Sequence, residues 1–516
     1  MKSRVENSKV NIIWGVAYRV TLLLCPFILR TVMIHTMGLE YAGLGNLFSS
    51  IIQILSLSDL GVGAALVFFM YKPIYEENNK MVNALLNFYK NFYYFIGSFI
   101  VIVGLILAPF LKYIIKGSYP SDINIHVLYL IYILNTSIGY FFGAYKRSIL
   151  YASQRMDIES KVLSLFTFIQ YIVQISVLVM TKNYYLYIIV LPITTLISNL
   201  IIANNVDKKY PQYKADGKLE DNLIKEIQKK SGGIVFQKIG NVILTSVDTL
   251  VVSAFLGLSV LTVYNNYLFV VSALHSILNI ILISIIPSVG NSVLSEGVEK
   301  NYSDFKKFNL LYSIVLSWAG CCLFVLYQPF MKIWMHNVTD YNMFLSYFMV
   351  VLFVVYFYTL KIGDIVFAYN EGAGLWDKRK YISIGASVTN LAMNLATVKI
   401  FGLYGVVLSS IISVLFISIP AESYVLFKFY FKKSNEWFTY IIGQLRFLVK
   451  MVIIAGITFV ACMFKIDNLL IDFFVKGLVC VVLSTVLHYL VYYKEHHFVE
   501  VINFIKFRFF KFKEKR

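Results

Sequence analysis

The sequence predicts an all-α polytopic membrane protein, and three features of its composition predict it. The 516 residues are 59% hydrophobic and only 14% charged, whereas soluble domains carry about 25% charged residues. Apolar stretches of about 20 residues, long enough to cross the hydrocarbon core of a bilayer, recur from one end of the chain to the other. Tyr and Phe, which are common at membrane interfaces, are frequent near the ends of these stretches.

We expect about 14 transmembrane helices, counted at roughly 20 apolar residues each. The first span follows a short charged lead and is too long for the core of a signal peptide, so we expect it to be retained. Numbered helix 1 to helix 14, the expected spans are 11–35, 42–70, 84–111, 125–145, 160–180, 184–204, 233–256, 261–294, 308–331, 342–369, 381–399, 403–427, 444–464 and 469–493.

The distribution of Lys and Arg predicts the orientation of the bundle. With the N-terminus inside, roughly 33 of the 46 Lys and Arg residues fall in cytoplasmic loops and tails and roughly 6 in external loops, as the positive-inside rule requires. Both termini are then cytoplasmic in a multi-pass protein of the cell membrane. The basic tail "KFRFFKFKEKR" suits anionic membrane lipids, so the net charge of +18 does not indicate a nucleic-acid partner.

The first half of the sequence recurs in the second half. Gly38-Leu39 recurs as Gly257-Leu258, and "APFLKYIIKG" (108–117) recurs as "QPFMKIWMHN" (328–337). Six helices per copy is an even number, so both copies begin on the same side of the membrane and form parallel lobes. Repeats of this kind are a transporter architecture, with the substrate at the repeat interface. The expected divisions are six-helix lobes at 1–204 and 233–427, a charged cytoplasmic linker at 205–232, two extra helices (13 and 14) within 428–493, and a basic cytoplasmic tail at 494–516.

Ionisable residues within the expected spans are the candidate functional residues. Each costs about 2.5–3.5 kcal/mol at the centre of a membrane helix, so it usually faces a partner or a water-filled cavity. Arg30 in helix 1 and Asp248 in helix 7 both lie about 12 Å below the outer Gly-Leu turns, at 1.5 Å per residue. Arg19, Asp59 and Lys238 belong to the inner half. Depth therefore allows Arg30 to pair with Asp248 across the cleft between the lobes, and it also allows Arg19 to pair with Asp59.

The cations in helices 1 and 7 favour an anionic cargo, because a guanidinium matches phosphate oxygens and stays charged in any environment. In a functional site, Arg19, Arg30 and Lys238 would bind this cargo. The structural alternatives are an ion pair or a side chain that snorkels to the lipid headgroups. Lys361 and Asp364 lie three residues apart in helix 10, where a local ion pair is the simpler interpretation.

An ion site is a second hypothesis. Asn390 and Asn394 lie one turn apart in helix 11 and could, with Asp248, offer oxygen ligands to a sodium ion. Hydrogen bonding between helices is the more common use of such asparagines. His275 in helix 8 fits a core residue better than a proton relay.

Motifs for covalent chemistry are absent from the sequence. It has no GxxxxGK[ST] loop and no GxSxG or HExxH motif, so we expect neither an enzyme nor an ATP-driven pump, and no cofactor. The five cysteines form no CxxC pair, which gives no indication of a metal site. Two alternatives to a transporter of an anionic cargo stay open. A membrane glycan polymerase or ligase is disfavoured by external loops of about a dozen residues at most, and a drug or cation antiporter is disfavoured by the cationic helices 1 and 7.

Two stretches of the sequence resemble a known family. "PFILRTVMIHTMGLEYAGLGNLFSSIIQILSLSDLGVG" (26–63) resembles the opening of the polysaccharide biosynthesis and oligosaccharide flippases of the multidrug/oligosaccharidyl-lipid/polysaccharide exporter superfamily. "QKIGNVILTSVDTLVVSAFLGLSVLTVYNNY" (237–267) resembles the start of their second lobe. The resemblance covers nearly the whole chain, including the layout of 14 helices.

The resemblance implies a bacterial flippase that works by alternating access. Its cargo would be an undecaprenyl-diphosphate-linked oligosaccharide, a repeat unit of a surface or capsular polysaccharide, moved from the inner to the outer leaflet. Arg19 and Arg30 match arginines that family members use in helix 1, and Lys238 matches a cation in helix 7. Related lipid II flippases imply a groove at helices 13 and 14 for the lipid tail. They also imply a sodium site at which Asp248, Asn390 and Asn394 would correspond, so sodium or a proton is the candidate coupling ion.

Overall fold

A computed structural model of the protein describes residues 4–56, 62–117, 119–335 and 344–500. Within these ranges every regular element is a helix, which confirms the predicted all-α class. Helical structure coincides with every one of the expected spans, and we therefore keep the numbers of helices 1 to 14 for the helices observed.

Twelve helices of the described residues are long and apolar enough to cross a membrane, and the number is 13 if the bent helix 4 counts as one span. Helix 4 bends by 47° where Gly143 adopts a left-handed conformation (φ 77°). The structure describes helix 2 in two parts, one before and one after residues 57–61. The number of spans makes the chain a multi-pass membrane protein. The helices in order are Arg4–Thr36, Leu39–Leu55 with Val62–Tyr75, Asn79–Leu107, Ile125–Phe141 with Arg147–Ala152, Met156–Thr181, Tyr184–Lys209, Asp221–Leu256, Leu258–Ser295, Val298–Trp334, Tyr347–Lys361 with Asp364–Gly372, Ile382–Phe401, Leu403–Ser413 with Ile419–Val425, Trp437–Ala461 and Leu469–Tyr492.

The connection between helices 6 and 7 is shorter than the linker expected over 205–232. Helix 6 continues to Lys209 and helix 7 begins at Asp221, because the hydrogen bonds of a helix join backbone groups and continue through polar residues beyond the apolar span. The remaining segment is held against helix 3, where the backbone amide of Lys214 donates to Asn83 Oδ1 at 2.9 Å.

By packing, the chain divides into two compact units, Met1–Asn265 and Asn266–Arg516. The boundary lies within helix 8, beyond the linker at which the sequence predicts the lobes to separate. The six-helix lobes 1–204 and 233–427 are defined by the sequence repeat, and they stay a prediction.

Helix 7 belongs to the first unit because it packs on helix 2 and on the short helix Leu111–Ile114 that follows helix 3. Ser246 Oγ donates to Gln53 Oε1 at 3.1 Å, and Ser253 Oγ donates to the carbonyl of Ile114 at 2.9 Å. In the same unit, helix 1 packs along helix 5, and helices 3 and 6 both pack on helix 4.

In the second unit, helices 13 and 14 dock on helix 9. His488 in helix 14 is buried, and its Nε2 lies 2.8 Å from Ser317 Oγ in helix 9. Gln444 Nε2 in helix 13 donates to Asn309 Oδ1 at 2.9 Å. Polar contacts between helices are common in membranes, where no hydrophobic effect drives the helices together. They fix the two extra helices onto the second unit.

The repeated glycines have the same backbone conformation. Gly38 (φ 101°, ψ 179°) precedes helix 2, and Gly257 (φ 93°, ψ 173°) precedes helix 8. This region of backbone space is essentially restricted to glycine. The repeat seen in the sequence therefore extends to the geometry of the turns.

The first turns of helices 2 and 8 meet in the first unit. Thr262 Oγ1 donates to the carbonyl of Leu39 at 2.7 Å. A Cβ added to Gly43 would lie 2.6 Å from the carbonyl oxygen of Leu258. Since Gly43 occupies the position in helix 2 that Thr262 occupies in helix 8, the two contacts are related by the repeat. Each helix presents the carbonyl of its first leucine to the other helix.

Gly43→Ala should loosen this crossing. The new methyl group meets a backbone carbonyl that cannot rotate away, and overpacking of this kind typically costs about 1–3 kcal/mol. We expect a lower Tm for the variant in detergent. The control is Gly139→Ala in helix 4, whose added Cβ would meet nothing within 4 Å. Equal Tm values for the two variants would show that the close approach at Gly43 does not stabilise the unit.

Candidate functional site

Arg30 lies near the C-terminal end of helix 1 and is held by neutral oxygen atoms. Its guanidinium donates to Asn46 Oδ1 in helix 2 and to the carbonyl of Thr262 in helix 8, both at 3.2 Å. The side chain is half-buried and stays charged, because a guanidinium is not deprotonated in proteins. Arg30 thus places a positive charge beside the crossing of helices 2 and 8. Its pairing with Asp248 stays a prediction.

Arg19 lies on the same face of helix 1 as Arg30. The two arginines are 11 residues apart in the sequence, which corresponds to about three turns and about 16 Å of helix. The Arg19 side chain is exposed and makes no ion pair with another residue in the described ranges. A guanidinium inside an apolar span requires water, a headgroup or a ligand beside it.

Lys238 lies at the first position of the membrane span in helix 7, Lys238–Leu256, and its side chain is exposed. Helix 7 begins 17 residues earlier, at Asp221. A lysine at the end of a span can reach the headgroups by snorkelling. Its position therefore fits both the binding role and the structural alternative that the sequence left open.

Asp248 is buried in helix 7, with 1% of its surface exposed. The hydroxyl of Tyr264 in helix 8 donates to Asp248 Oδ2 at 3.3 Å. Ser246 and Thr249, its neighbours in helix 7, are buried as well, so this part of the helix is polar and enclosed. Asp59 lies outside the described residues, and so does its expected pairing with Arg19.

Asn390 and Asn394 are fully buried in helix 11. Asn394 Nδ2 donates to Asn390 Oδ1 at 3.2 Å, and Asn390 Nδ2 donates to Ser410 Oγ in helix 12 at 2.9 Å. The asparagines join helices 11 and 12 in the second unit, which is the structural use considered for them. Their role in a sodium site stays a prediction.

The expected local pair of Lys361 and Asp364 is confirmed, with Lys361 Nζ donating to Asp364 Oδ2 at 2.9 Å. Tyr312 in helix 9 also donates to Asp364 Oδ2, and Lys361 Nζ donates to Asn279 Oδ1 in helix 8 at 2.5 Å. The pair thus links three helices through hydrogen bonds. His275 stacks on Phe357 at 5.5 Å between ring centroids, which fits a core residue.

A second buried ionic cluster was missed by the sequence reasoning. Arg379 is 1% exposed and pairs with Glu371 at 2.9 Å and with Glu422. Asn370 Nδ2 donates to Glu422 Oε2 at 3.2 Å. The sequence placed Arg379 in a loop between helices 10 and 11. Glu422, an acid inside the span expected at 403–427, was the feature that predicts a buried cation nearby.

One group among the described residues has the chemistry to hold a metal ion. His496, His497 and Glu500 bring their ligand atoms within 4.8 Å of one another. Glu500 already accepts an ion pair from Lys307 at 3.2 Å, and the hydrogen bonds from Lys307 and His497 lower the pKa of its carboxyl group. The group lies at the end of the described chain and is partly or fully exposed, so these contacts hold the chain end against helix 9.

Solved structures of membrane transporters share this fold. Lipid II flippase MurJ, in an inward closed conformation, matches with a TM-score of 0.62 at 16% identity, over 93% of this chain and 99% of that chain. An inward-facing multidrug resistance MATE family transporter of the MOP superfamily matches with a TM-score of 0.57 at 12% identity, over 84% and 99%. A Pyrococcus furiosus transporter of the MOP superfamily, described as having a binding pocket of reverse polarity, matches with a TM-score of 0.50 at 12% identity, over 82% and 96%.

Neither a protein-family model nor a curated protein matches the sequence. At identities of 12–16%, the likeness to these structures establishes the fold. The chain thus shares its fold with solved transporters of the MOP superfamily, which is the fold that the sequence resemblance implied.

Arg379→Met should destabilise the second unit strongly. It leaves the carboxylates of Glu371 and Glu422 without their cation, and removal of one partner from a buried pair costs about 3–5 kcal/mol. Thermal unfolding of the purified protein measures the loss.

The control for this variant is Lys72→Met. Lys72 pairs with Glu76 at 3.7 Å, and its side chain is 82% exposed. An exposed pair contributes at most about 1 kcal/mol. A Tm as low for Lys72→Met as for Arg379→Met would contradict the role assigned to the buried cluster.

Proposed function

We propose that the protein is a flippase that moves an undecaprenyl-diphosphate-linked oligosaccharide from the inner to the outer leaflet by alternating access. The N- and C-termini are cytoplasmic, as the distribution of Lys and Arg predicts. No bond is made or broken in the cargo. The fold shared with a lipid II flippase supports transport of a lipid-linked cargo, and the chemistry of helix 1 supports a diphosphate in it.

The observation that carries the proposal is the line of two arginines on one face of helix 1. Arg19 is exposed and Arg30 is held near the outer end by Asn46 and Thr262. Each guanidinium offers a fork of donors that matches a phosphate group. A cationic drug would be repelled from this face, which argues against an antiporter of cations.

The spacing of the arginines gives them successive roles. They lie about 16 Å apart along the helix, which is too far for both to hold one diphosphate at the same time. Arg19, nearer the cytoplasmic end, binds the diphosphate first, and Arg30 receives it nearer the outer end. Lys238 assists at the inner end, where it lies at the start of its span.

Two further parts of the chain serve this cycle in the proposal. Helices 13 and 14, docked on helix 9, form the groove for the lipid tail. Sodium or a proton is the coupling ion, bound by Asp248 or by the buried Asn390 and Asn394. The surrounding membrane lipids hold the basic tail at the inner surface.

Arg30→Ala should slow flipping by roughly 10- to 100-fold, because a hydrogen bond to a charged group contributes about 1.5–3 kcal/mol. The assay follows undecaprenyl-diphosphate glycan on the cytoplasmic face of cells that carry the variant as their only copy. Accumulation there, at normal protein level, is the expected result. Arg19→Ala should give the same accumulation, and Arg30→Lys should be intermediate because it keeps the charge and loses the fork.

Lys332→Ala is the matched control. Lys332 is an exposed cation in the last turn of helix 9, away from helix 1 in the sequence and in the other unit. Unchanged flipping in Arg19→Ala and Arg30→Ala would refute the binding role of the arginines. Slow flipping in Lys332→Ala as well would show that the assay responds to total charge.

Asp248→Asn tests the coupling ion. If Asp248 holds sodium, the flipping rate in proteoliposomes should rise with a sodium gradient for the wild type and be independent of the gradient for Asp248→Asn. Asp377→Asn, which changes an exposed acid between helices 10 and 11, should behave as the wild type. A wild-type rate that follows a proton gradient and ignores sodium would assign the coupling to protons.

A further inference from the structure

The second unit contains a polar cleft that the proposed cargo path does not use. It has a volume of about 250 Å³ and lies between the ends of helices 8, 9 and 10. Helix 8 contributes Ser288, Asn291 and Ser295, helix 9 contributes Asp304, and helix 10 contributes Tyr369. Ser288 lies 30 residues from the outer end of helix 8, which is about 45 Å of helix and more than the roughly 30 Å of hydrocarbon. The cleft therefore opens at the end of the bundle that we propose to be cytoplasmic.

Several polar groups in the cleft are not engaged by the protein. The hydroxyl of Ser288, the amide of Asn291 and the carboxylate of Asp304 make no hydrogen bond or ion pair with another described residue. Ser292 and Glu296, by contrast, bond to each other at 2.7 Å. The cleft thus offers hydrogen-bond donors and acceptors to a ligand. They lie beside Ser292 and Glu296, which are already bonded to each other.

The hydroxyl of Tyr369 is the strongest indication of a ligand. Tyr369 is 1% exposed and lines the cleft, yet its hydroxyl has no hydrogen-bond partner among the described residues. The ring is fixed by Phe305, edge to face at 5.3 Å, and by Phe431 at 5.8 Å. The hydroxyl is therefore available to exchange a hydrogen bond with a group that enters the cleft, as tyrosine hydroxyls usually do with a neighbouring polar group.

The repeat shows that this polarity is specific to the second half of the chain. The offset that relates Glu76 to Glu296 also relates Phe88 to Phe308. At the same offset the first copy carries large or apolar residues where the second copy carries cleft residues. The counterparts of Ser288, Asn291, Ser295 and Asp304 are Phe68, Tyr71, Tyr75 and Ala84.

The chemistry of the lining selects the class of ligand. Hydroxyl, amide and carboxylate groups beside the rings of Phe308 and Tyr369 provide hydrogen bonds to several hydroxyls and an apolar face for a ring. The carboxylate of Asp304 repels a phosphate, which is what the arginines of helix 1 would bind. A neutral or amino-bearing sugar ring meets all of these conditions, and the volume suits a group smaller than the usual drug-sized ligand.

We propose that this cleft is a sugar-binding subsite that takes one pyranose ring of the glycan on the cytoplasmic side. The inference rests on the proposed function for its biological meaning, since the glycan is the cargo of the flippase. The cleft would select cargo by its sugar, while the arginines of helix 1 bind the diphosphate that all such cargoes share.

The test measures binding of soluble sugars to the purified full chain by saturation-transfer NMR. The probes are the methyl glycosides of glucose, galactose and N-acetylglucosamine, together with glucosamine. At least one should bind to the wild type. Tyr369→Phe should weaken its binding by roughly three- to tenfold, the usual effect of one neutral hydrogen bond. Asn291→Tyr introduces into the cleft the residue that the first copy has at the corresponding position, Tyr71. This variant should abolish binding.

The matched control is Tyr440→Phe. Tyr440 belongs to the same aromatic cluster and has a buried hydroxyl without a partner, but it is not part of the cleft lining. Its removal should leave sugar binding unchanged. Equal weakening by both tyrosine variants, binding of sodium or potassium alone, or no sugar binding to the wild type would each overturn the subsite.

The two proposals fail separately. If flipping depends on Arg30 and no sugar binds to the cleft, the subsite is wrong and the flippase stands. If a sugar binds as expected and cells depleted of the protein accumulate no undecaprenyl-diphosphate glycan on the cytoplasmic face, the flippase proposal is wrong and the sugar site stands as part of a different activity.

Discussion

The cost of placing a charge in hydrocarbon is the constraint on which the rest of this structure depends. A charged side chain inside a membrane span requires a partner, water or a ligand, and each one in this chain meets the requirement differently. Arg379 is enclosed by two carboxylates, and Lys361 is bound to Asp364 and Asn279. Arg30 is bonded to an amide and a backbone carbonyl, and Arg19 is exposed. The first two charges join helices 8, 9, 10 and 12, whereas the charges of helix 1 have no carboxylate partner in the hydrogen bonds described for them.

Glycines are the second feature that holds the helices together. They allow two helix backbones to approach closely, so that the helices associate although no hydrophobic effect acts between them in a membrane. Gly38 and Gly257 adopt a conformation that other residues avoid, and the absence of a side chain at Gly43 admits the carbonyl of Leu258. The contacts between helices 2 and 8 are then made by backbone carbonyls and one threonine hydroxyl. Contacts of this kind depend on few side chains, so the crossing is set mainly by the backbone conformation of the two Gly-Leu turns.

The sequence was sufficient to predict the helices and the repeat, because the span length and the Gly-Leu turns are local signals. It predicted the pair of Lys361 and Asp364 for the same reason, since three residues separate them. The sequence did not predict how helices that are distant in the chain pack together. No local sequence signal indicates that helix 7 joins the first unit through Ser246 and Ser253. The cluster around Arg379 was missed because its partners lie 8 and 43 residues away, and the cleft was missed because scattered serines in a helix give no periodic signal.

The two copies of the repeat share some features and differ in others. Repeated elements carry the turns and the crossing, which any transporter of this architecture needs. Other residues differ between the copies. Arg30 has Thr249 as its counterpart in helix 7, and Ser288, Asn291 and Ser295 near the end of helix 8 stand where the first copy has Phe68, Tyr71 and Tyr75. At the offset that relates Gly38 to Gly257, Arg19 corresponds to Lys238, so a cation recurs at this position in both copies, whereas the hydroxyl-rich cleft belongs to the second copy alone. The cargo that we propose, an anionic group joined to polar sugar rings, would meet the cation that recurs in both copies and the cleft that only the second copy carries.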